Sequence, residues 1–214
     1  MVKLNKFFGH LKTVRIHRRA VRHFCFKMGI PLQGLVHDLS KYSLKELSQY
    51  KYYTGKKSPH ATMREEFGYS TSWYHHRNRN KHHWEYWIDS LEEKTAVKMP
   101  IKYVLEMLCD MCAAGYAYNG KNWQPKDVLA YWKKHDGPHR IINKETKTFF
   151  ELLLEMLAKL NDFDKFVKWY KGEDGHLFTS WYKNNNLLYN IQFWLENMIE
   201  EEVEKFKKQT IMIE

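Results

Sequence analysis

Apolar residues in this chain recur mainly every three or four positions, and no sustained apolar–polar alternation stands out, which predicts helices rather than strands. Residues 3 to 28 read as one helix with an apolar stripe of Leu4, Phe7, Leu11, Val14, Val21, Cys25 and Met28. His10 and His17 fall at the edge of that stripe and His23 opposite it, so His17 should face the core and His23 water. Gly29 and Pro31 stop the helix. Pro31 to Ser40 reads as a short buried helix carrying His37 and Asp38. Ser43-Leu44-Lys45-Glu46 matches a capping box and starts a helix to about Tyr53. From Thr54 to Ser72, Gly55, Pro59 and Gly68 break the pattern, predicting a loop with short helical pieces, long enough to serve as a lid.

The next helix is expected from about Thr71 to Glu93, with room for a break at Asn78 and Asn80. Pro100 precedes a helix from Ile101 to about Tyr118 that places Glu106 and Asp110 one turn apart. Asn119-Gly120 is a turn, Lys126 to His135 a helix, and Asp136-Gly137-Pro138 its stop. Residues 145 to 170 are strongly amphipathic. A turn at 172 to 175 and a last helix at about Asn186 to Lys208 complete an all-α chain. The division expected is 1–140 for the histidine-rich part and 141–214 for a C-terminal helical cover, together one structural unit.

The chain has 214 residues, 43% hydrophobic and 28% charged, enough for a substantial core and against global disorder. A net charge of +10 admits phosphate, nucleic acid or another anionic partner. Much of that charge reads as solvated helix surface. The three cysteines, Cys25, Cys109 and Cys112, offer neither a disulfide framework nor a paired zinc motif, and core packing in a reducing, cytoplasmic setting is the expectation. The first residues read as a charged amphipathic helix rather than a signal peptide, and no run approaches the ~20 apolar residues of a membrane span.

Candidate chemistry lies in the order His17, His37-Asp38, His75-His76, His82-His83, Asp110. Neighbours on a helix point about 100° apart, so His37 and Asp38 reach one ion only where the helix bends or from their shared edge. Imidazole with carboxylate suits iron, manganese or zinc. His76 and His83, seven residues apart, are separated by about 10 Å on a straight helix, so they serve different ions unless the helix breaks at Asn78 to Asn80. Two ions joined by a carboxylate would activate water and clamp a phosphoryl oxygen, or bind dioxygen if both were iron. Nearby cations would hold an anionic substrate, with Lys41 best placed.

This order resembles that of the HD-domain superfamily of metal-dependent phosphohydrolases, which implies an HD-like helical bundle with a C-terminal helical extension. The resemblance assigns His17, His37, Asp38 and Asp110 to a first metal. It gives His75 or His76, with the His82-His83 pair, to a second. His82-His83 followed by Glu85 is similar to the His-His-Glu block of the cyclic-dinucleotide branch. His37-Asp38-Leu39-Ser40-Lys41 is similar to the His-Asp-x-Gly-Lys form of that branch and of myo-inositol oxygenase, with Ser40 in place of glycine. There the lysine contacts substrate. The Gly-Tyr-Pro motif of the cyclic-dinucleotide branch is replaced here by Trp84-Glu85-Tyr86-Trp87. Most of residues 10 to 135 also resembles a group of bacterial and phage proteins with the same histidine block and no established reaction.

The leading expectation is a phosphohydrolase acting on a nucleotide or small phosphoester through a metal-activated water. His17, His37, Asp38, His76, His82, His83 and Asp110 are its metal ligands, and Asp38 and Lys41 its catalytic residues. Lys41, Arg77, Arg79 and Lys81 bind the phosphate, and Trp84 or Tyr74 stacks on a base. One or two divalent iron, manganese or zinc ions are implied. The alternatives are a di-iron oxygenase on the same scaffold, and a non-catalytic basic helical protein binding nucleic acid or a partner. The C-terminal cover would also serve as a homodimer surface.

Overall fold

The N-terminal apolar stripe forms helix α1 (Val2–Met28), and Gly29 ends it in the left-handed region at φ 82°. In the computed structural model, residues 2–55, 57–89, 95–137, 140–172, 176, 179–180 and 182–183 are described. Helix α2 (Pro31–Val36) folds back on α1, and Gly34 permits it. A Cβ there would sit 2.8 Å from Cys25 Cβ and 3.1 Å from the Arg22 backbone.

The helix expected to reach Ser40 stops at Val36. His37 is extended, Asp38 is left-handed at φ 54°, and a 3₁₀ turn spans Leu39–Tyr42. Helix α3 (Leu44–Leu47) begins as expected, with Ser43 Oγ accepting the Glu46 N–H. It passes into a second 3₁₀ turn at Ser48–Tyr52 instead of continuing as α-helix. Helix α4 (Pro59–Phe67) occupies the middle of the expected loop, capped by Ser58 and ended by Gly68 at φ 77°.

Helix α5 (Thr71–Arg77) is much shorter than the reading to Glu93. The chain turns at Asn78, makes a 3₁₀ turn at Trp84–Trp87, and enters an antiparallel pair, β1 (Ile88–Asp89) with β2 (Thr95–Ala96). Aromatic and β-branched residues fit this extended backbone better than a helix. Residues 90–94 lie outside the described residues.

Helix α6 (Ile101–Asn119) runs beside α1. Val21, Cys25 and Met28 of α1 are buried, as are Val104, Leu108, Cys109 and Cys112 of α6. All three cysteines are free and serve the core. Helix α7 (Asp127–Lys134) and helix α8 (Lys144–Leu160) complete it, with Phe149, Phe150, Leu153, Leu154 and Leu157 fully buried. The amphipathic stretch expected to continue to 170 breaks at Asn161, which is left-handed at φ 45°. Asp162 Oδ1 then accepts the N–H groups of Asp164 and Lys165 and starts α9 (Phe163–Lys171).

The fold is all-α. The chain forms two compact units, residues 1–167 and 168–214, and the helix expected at 186 to 208 lies outside the described residues. No described helix is long and apolar enough to cross a membrane.

Candidate metal centre

The backbone break after α2 builds the centre. Because His37 is extended and Asp38 left-handed, two adjacent side chains turn toward one point, which a continuous helix forbids. Arg18 holds this break from α1. Its Nε donates to His37 O at 2.8 Å and its Nη2 to Leu35 O at 3.2 Å, satisfying carbonyls that the helix end leaves open.

His17 of α1 and Asp110 of α6 meet the pair. His17 Nε2 lies 3.3 Å from His37 Nε2, 3.5 Å from Asp38 Oδ2 and 3.0 Å from Asp110 Oδ1. His37 Nε2 lies 3.3 Å from both Asp38 Oδ2 and Asp110 Oδ1. Metal–ligand bonds of about 2.1 Å give donor–donor edges of about 3.0–3.5 Å in octahedral or tetrahedral sites. These donors therefore have the spacing of a coordination shell.

A second group shares Asp38. Its Oδ1 lies 3.3 Å from His76 Nε2 and 3.6 Å from His82 Nε2, and His83 completes the cluster. Asp38 Oδ1, His82 Nε2 and His83 Nε2 are buried without a hydrogen-bond partner, an arrangement that is costly unless a cation completes it. The end of α5 at Arg77 resolves the seven-residue problem, because the following turn folds His82 and His83 back to His76. The His76 ring centroid is 4.8 Å from that of His83 and 6.3 Å from that of His82. Asn80 fixes this turn through bonds of 2.8 Å to His76 O and to Ser40 Oγ.

Two carboxylates orient the imidazoles. Glu106 Oε1 accepts from His37 Nδ1 at 2.9 Å and from His82 Nδ1 at 3.1 Å. Glu46 accepts from His76 Nδ1 and His75 Nδ1, both at 2.8 Å. Each bond leaves the Nε2 lone pair of His37, His82 and His76 aimed inward, the arrangement that carboxylates impose on metal-ligating histidines. Sequence reasoning singled out neither glutamate for this role. Glu106 lies one turn before Asp110, and Glu46 is the acidic end of the capping box, so both spacings carried a signal. His75 shares the Glu46 bond but borders an outer groove and joins none of the ligand groups among the described residues, whereas His76 Nε2 reaches Asp38.

Lys41 Nζ lies 2.6 Å from Asp38 Oδ2. Burial opposes its charge, but Asp38 and Asp110 prevail and raise its pKa. Burial likewise opposes charge on His37, and Asp38, Asp110 and Glu106 overcome it, holding its pKa well above the ordinary value. Against the opposing effect of burial, the charges of His37 and Lys41 hold Asp38 well below the usual carboxylate range. Burial, then His82 and His76, keep His83 neutral with a free lone pair. A metal ion requires the imidazoles deprotonated, and in that form the four carboxylates with four negative charges and Lys41 with one positive leave the cluster at minus three. One or two divalent ions bring it near neutrality.

The other expected cations sit elsewhere. The Arg77 guanidinium lies 5.3 Å from the Tyr74 ring centroid, and Lys81 Nζ lies 5.8 Å from that of Tyr86. Arg79 lines the outer groove of about 630 Å³ with Lys45, Tyr74 and His75. Of the four expected phosphate-binding residues, Lys41 is the one the structure pairs with a ligand carboxylate. Glu85 lies in a 3₁₀ turn, where burial raises its pKa, and it joins none of the ligand groups among the described residues.

Comparison with known proteins gives no match to a curated protein or to a solved structure. Residues 6–156, which include every ligand of both groups, match a family described as a family of unknown function, DUF5662. The match spans well over half of the sequence, and the chain belongs to that family.

Proposed function

We propose that this protein is a metal-dependent phosphohydrolase acting on a nucleotide or other small phosphoester. The observation that carries the reading is one buried carboxylate, Asp38, shared between two preorganised donor groups, with Lys41 against it. Iron, manganese or zinc suits this mixture of imidazole and carboxylate, and a pair of such ions supplies an acidified water and a clamp on phosphoryl oxygens. The chain contributes orientation through Glu46 and Glu106, a bridging charge through Asp38, and a cation through Lys41. The order of the ligands, similar to that of the HD-domain phosphohydrolases, supports the same class.

Elemental analysis of the native protein, alongside His37→Ala and Asp110→Ala and a phosphoesterase assay, tests it. Wild type should retain one or two transition-metal ions per chain and hydrolyse phosphoesters, and both variants should lose metal and activity. Unchanged metal content in both variants would remove the centre. A spectroscopically coupled iron pair that consumes dioxygen and cleaves no phosphoester would replace hydrolysis with oxygen chemistry. Nucleic-acid binding that persists in chelator and weakens steeply with salt would favour the binding-protein reading instead.

A further inference from the structure

The first donor group is exposed on one side. Asp110 and Lys41 keep 17% and 22% side-chain exposure, against 0% for His37 and 1% for Asp38. Asp110 and Lys41 form the solvent-facing edge of this half of the centre, the side from which a small molecule would approach.

The same approach carries a set of uncharged polar groups. Thr13 and His10 lie four and seven residues before His17 on one face of α1, about 6 and 10.5 Å along the axis. The Tyr53 ring seats against Gly9, where an added Cβ would come within 2.8 Å of it. Its hydroxyl lies 2.6 Å from Thr13 Oγ1, and its ring is 5.7 Å from that of His10. Thr13 Oγ1 donates to Gly9 O at 3.2 Å, so it must accept from the Tyr53 hydroxyl. The Tyr53 oxygen is left as an acceptor, and a neutral imidazole at His10 adds one acceptor and one donor. The charge of Lys41 reaches both His10 and Tyr118.

We propose that Thr13, Tyr53 and His10 form a subsite for the hydroxyl-bearing organic part of a phosphomonoester, a sugar phosphate or the ribose of a nucleoside monophosphate, whose phosphoryl group lies at Lys41. Acceptors without formal charge recognise hydroxyl donors. Lys41, a single cation against Asp38, matches one phosphoryl group. The assignment rests on the phosphohydrolase reading and narrows it to monoesters.

Three substrates test it on the metal-loaded full chain: ribose 5-phosphate, p-nitrophenyl phosphate, which has no hydroxyl groups, and ATP. Tyr53→Phe and Thr13→Val should each lower the kcat/KM ratio of ribose 5-phosphate over p-nitrophenyl phosphate by about tenfold, mainly through KM, as expected for one lost hydrogen bond. Bound metal per chain should stay at the wild-type level, and Thr13→Ser should restore most of the ratio. If Thr13→Val loses metal through misfolding, Tyr53→Phe decides alone. An unchanged ratio in a metal-replete variant, or a wild-type preference for ATP, overturns the subsite and leaves the phosphohydrolase reading standing. Failure of the metal-loaded wild type to hydrolyse any phosphoester removes that reading and the subsite with it.

Discussion

Asp38 combines a rare backbone geometry with a rare charge position. A non-glycine residue at positive φ is tolerated best when it is Asn or Asp. Asp38→Asn therefore preserves the turn while removing the charge that both donor groups share. We expect it to fold with near-native helicity and to lose at least one equivalent of metal, measured by elemental analysis beside circular dichroism.

His10 gives a residue-scale prediction in pH. Burial, with a smaller push from the Lys41 charge, lowers its pKa from 6.5 to about 4, and its ring lies 5.7 Å from that of Tyr53. Between those values the unfolded chain binds a proton that the native state refuses, so stability rises with pH across the window. The contribution of neutral His10 is fully present above pH 6.5 and is lost as pH falls toward 4. A loss on the order of 1–2 kcal/mol is expected, less than the full shift would give because the ring is not wholly dry. Denaturant titrations from pH 7 to 4 should show this slope, and His10→Asn should flatten it.

At the scale of elements, the centre depends on where helices end. α2 stops at Val36, α5 at Arg77, and each end turns a pair of histidine-block residues inward. Arg18 makes the first of these stops by bonding the Leu35 and His37 carbonyls. Arg18→Met keeps the aliphatic stem and leaves those carbonyls without it. The expected cost is about 1–3 kcal/mol in chemical denaturation. Metal affinity should fall at least severalfold in a chelator competition, because His37 loses its fixed backbone.

The whole molecule places a cluster of net charge minus three between α1, α6 and the segments that follow α2 and α5. Metal that binds the native state and not the unfolded chain stabilises by mass action, by about 4 kcal/mol at a thousandfold excess over Kd. Chelation should lower the melting temperature by several degrees without abolishing the fold, since the Phe149, Phe150, Leu153, Leu154 and Leu157 core on α8 is separate from the ligands. Differential scanning calorimetry with and without chelator checks this. A melting temperature indifferent to chelator would contradict a metal-filled centre.

Helix-period patterning by itself determined the all-α class, the inward face of His17, the Ser43 cap and the start of the helix carrying Asp110. Those features arise from spacing within one segment, and spacing is what sequence records. The left-handed turn at Asp38, the early end of α5 and the β1–β2 pair were decided by tertiary structure. Each depends on groups distant in the chain or on local aromatic content that outweighs helical period: Arg18 at the His37 carbonyl, Asn80 at Ser40, and the Trp84 to Ile88 run. The choice of His76 over His75 was likewise tertiary. The two are adjacent in sequence and bond the same carboxylate, Glu46, but only the turn of α5 against the segment after α2 directs His76 Nε2 toward Asp38.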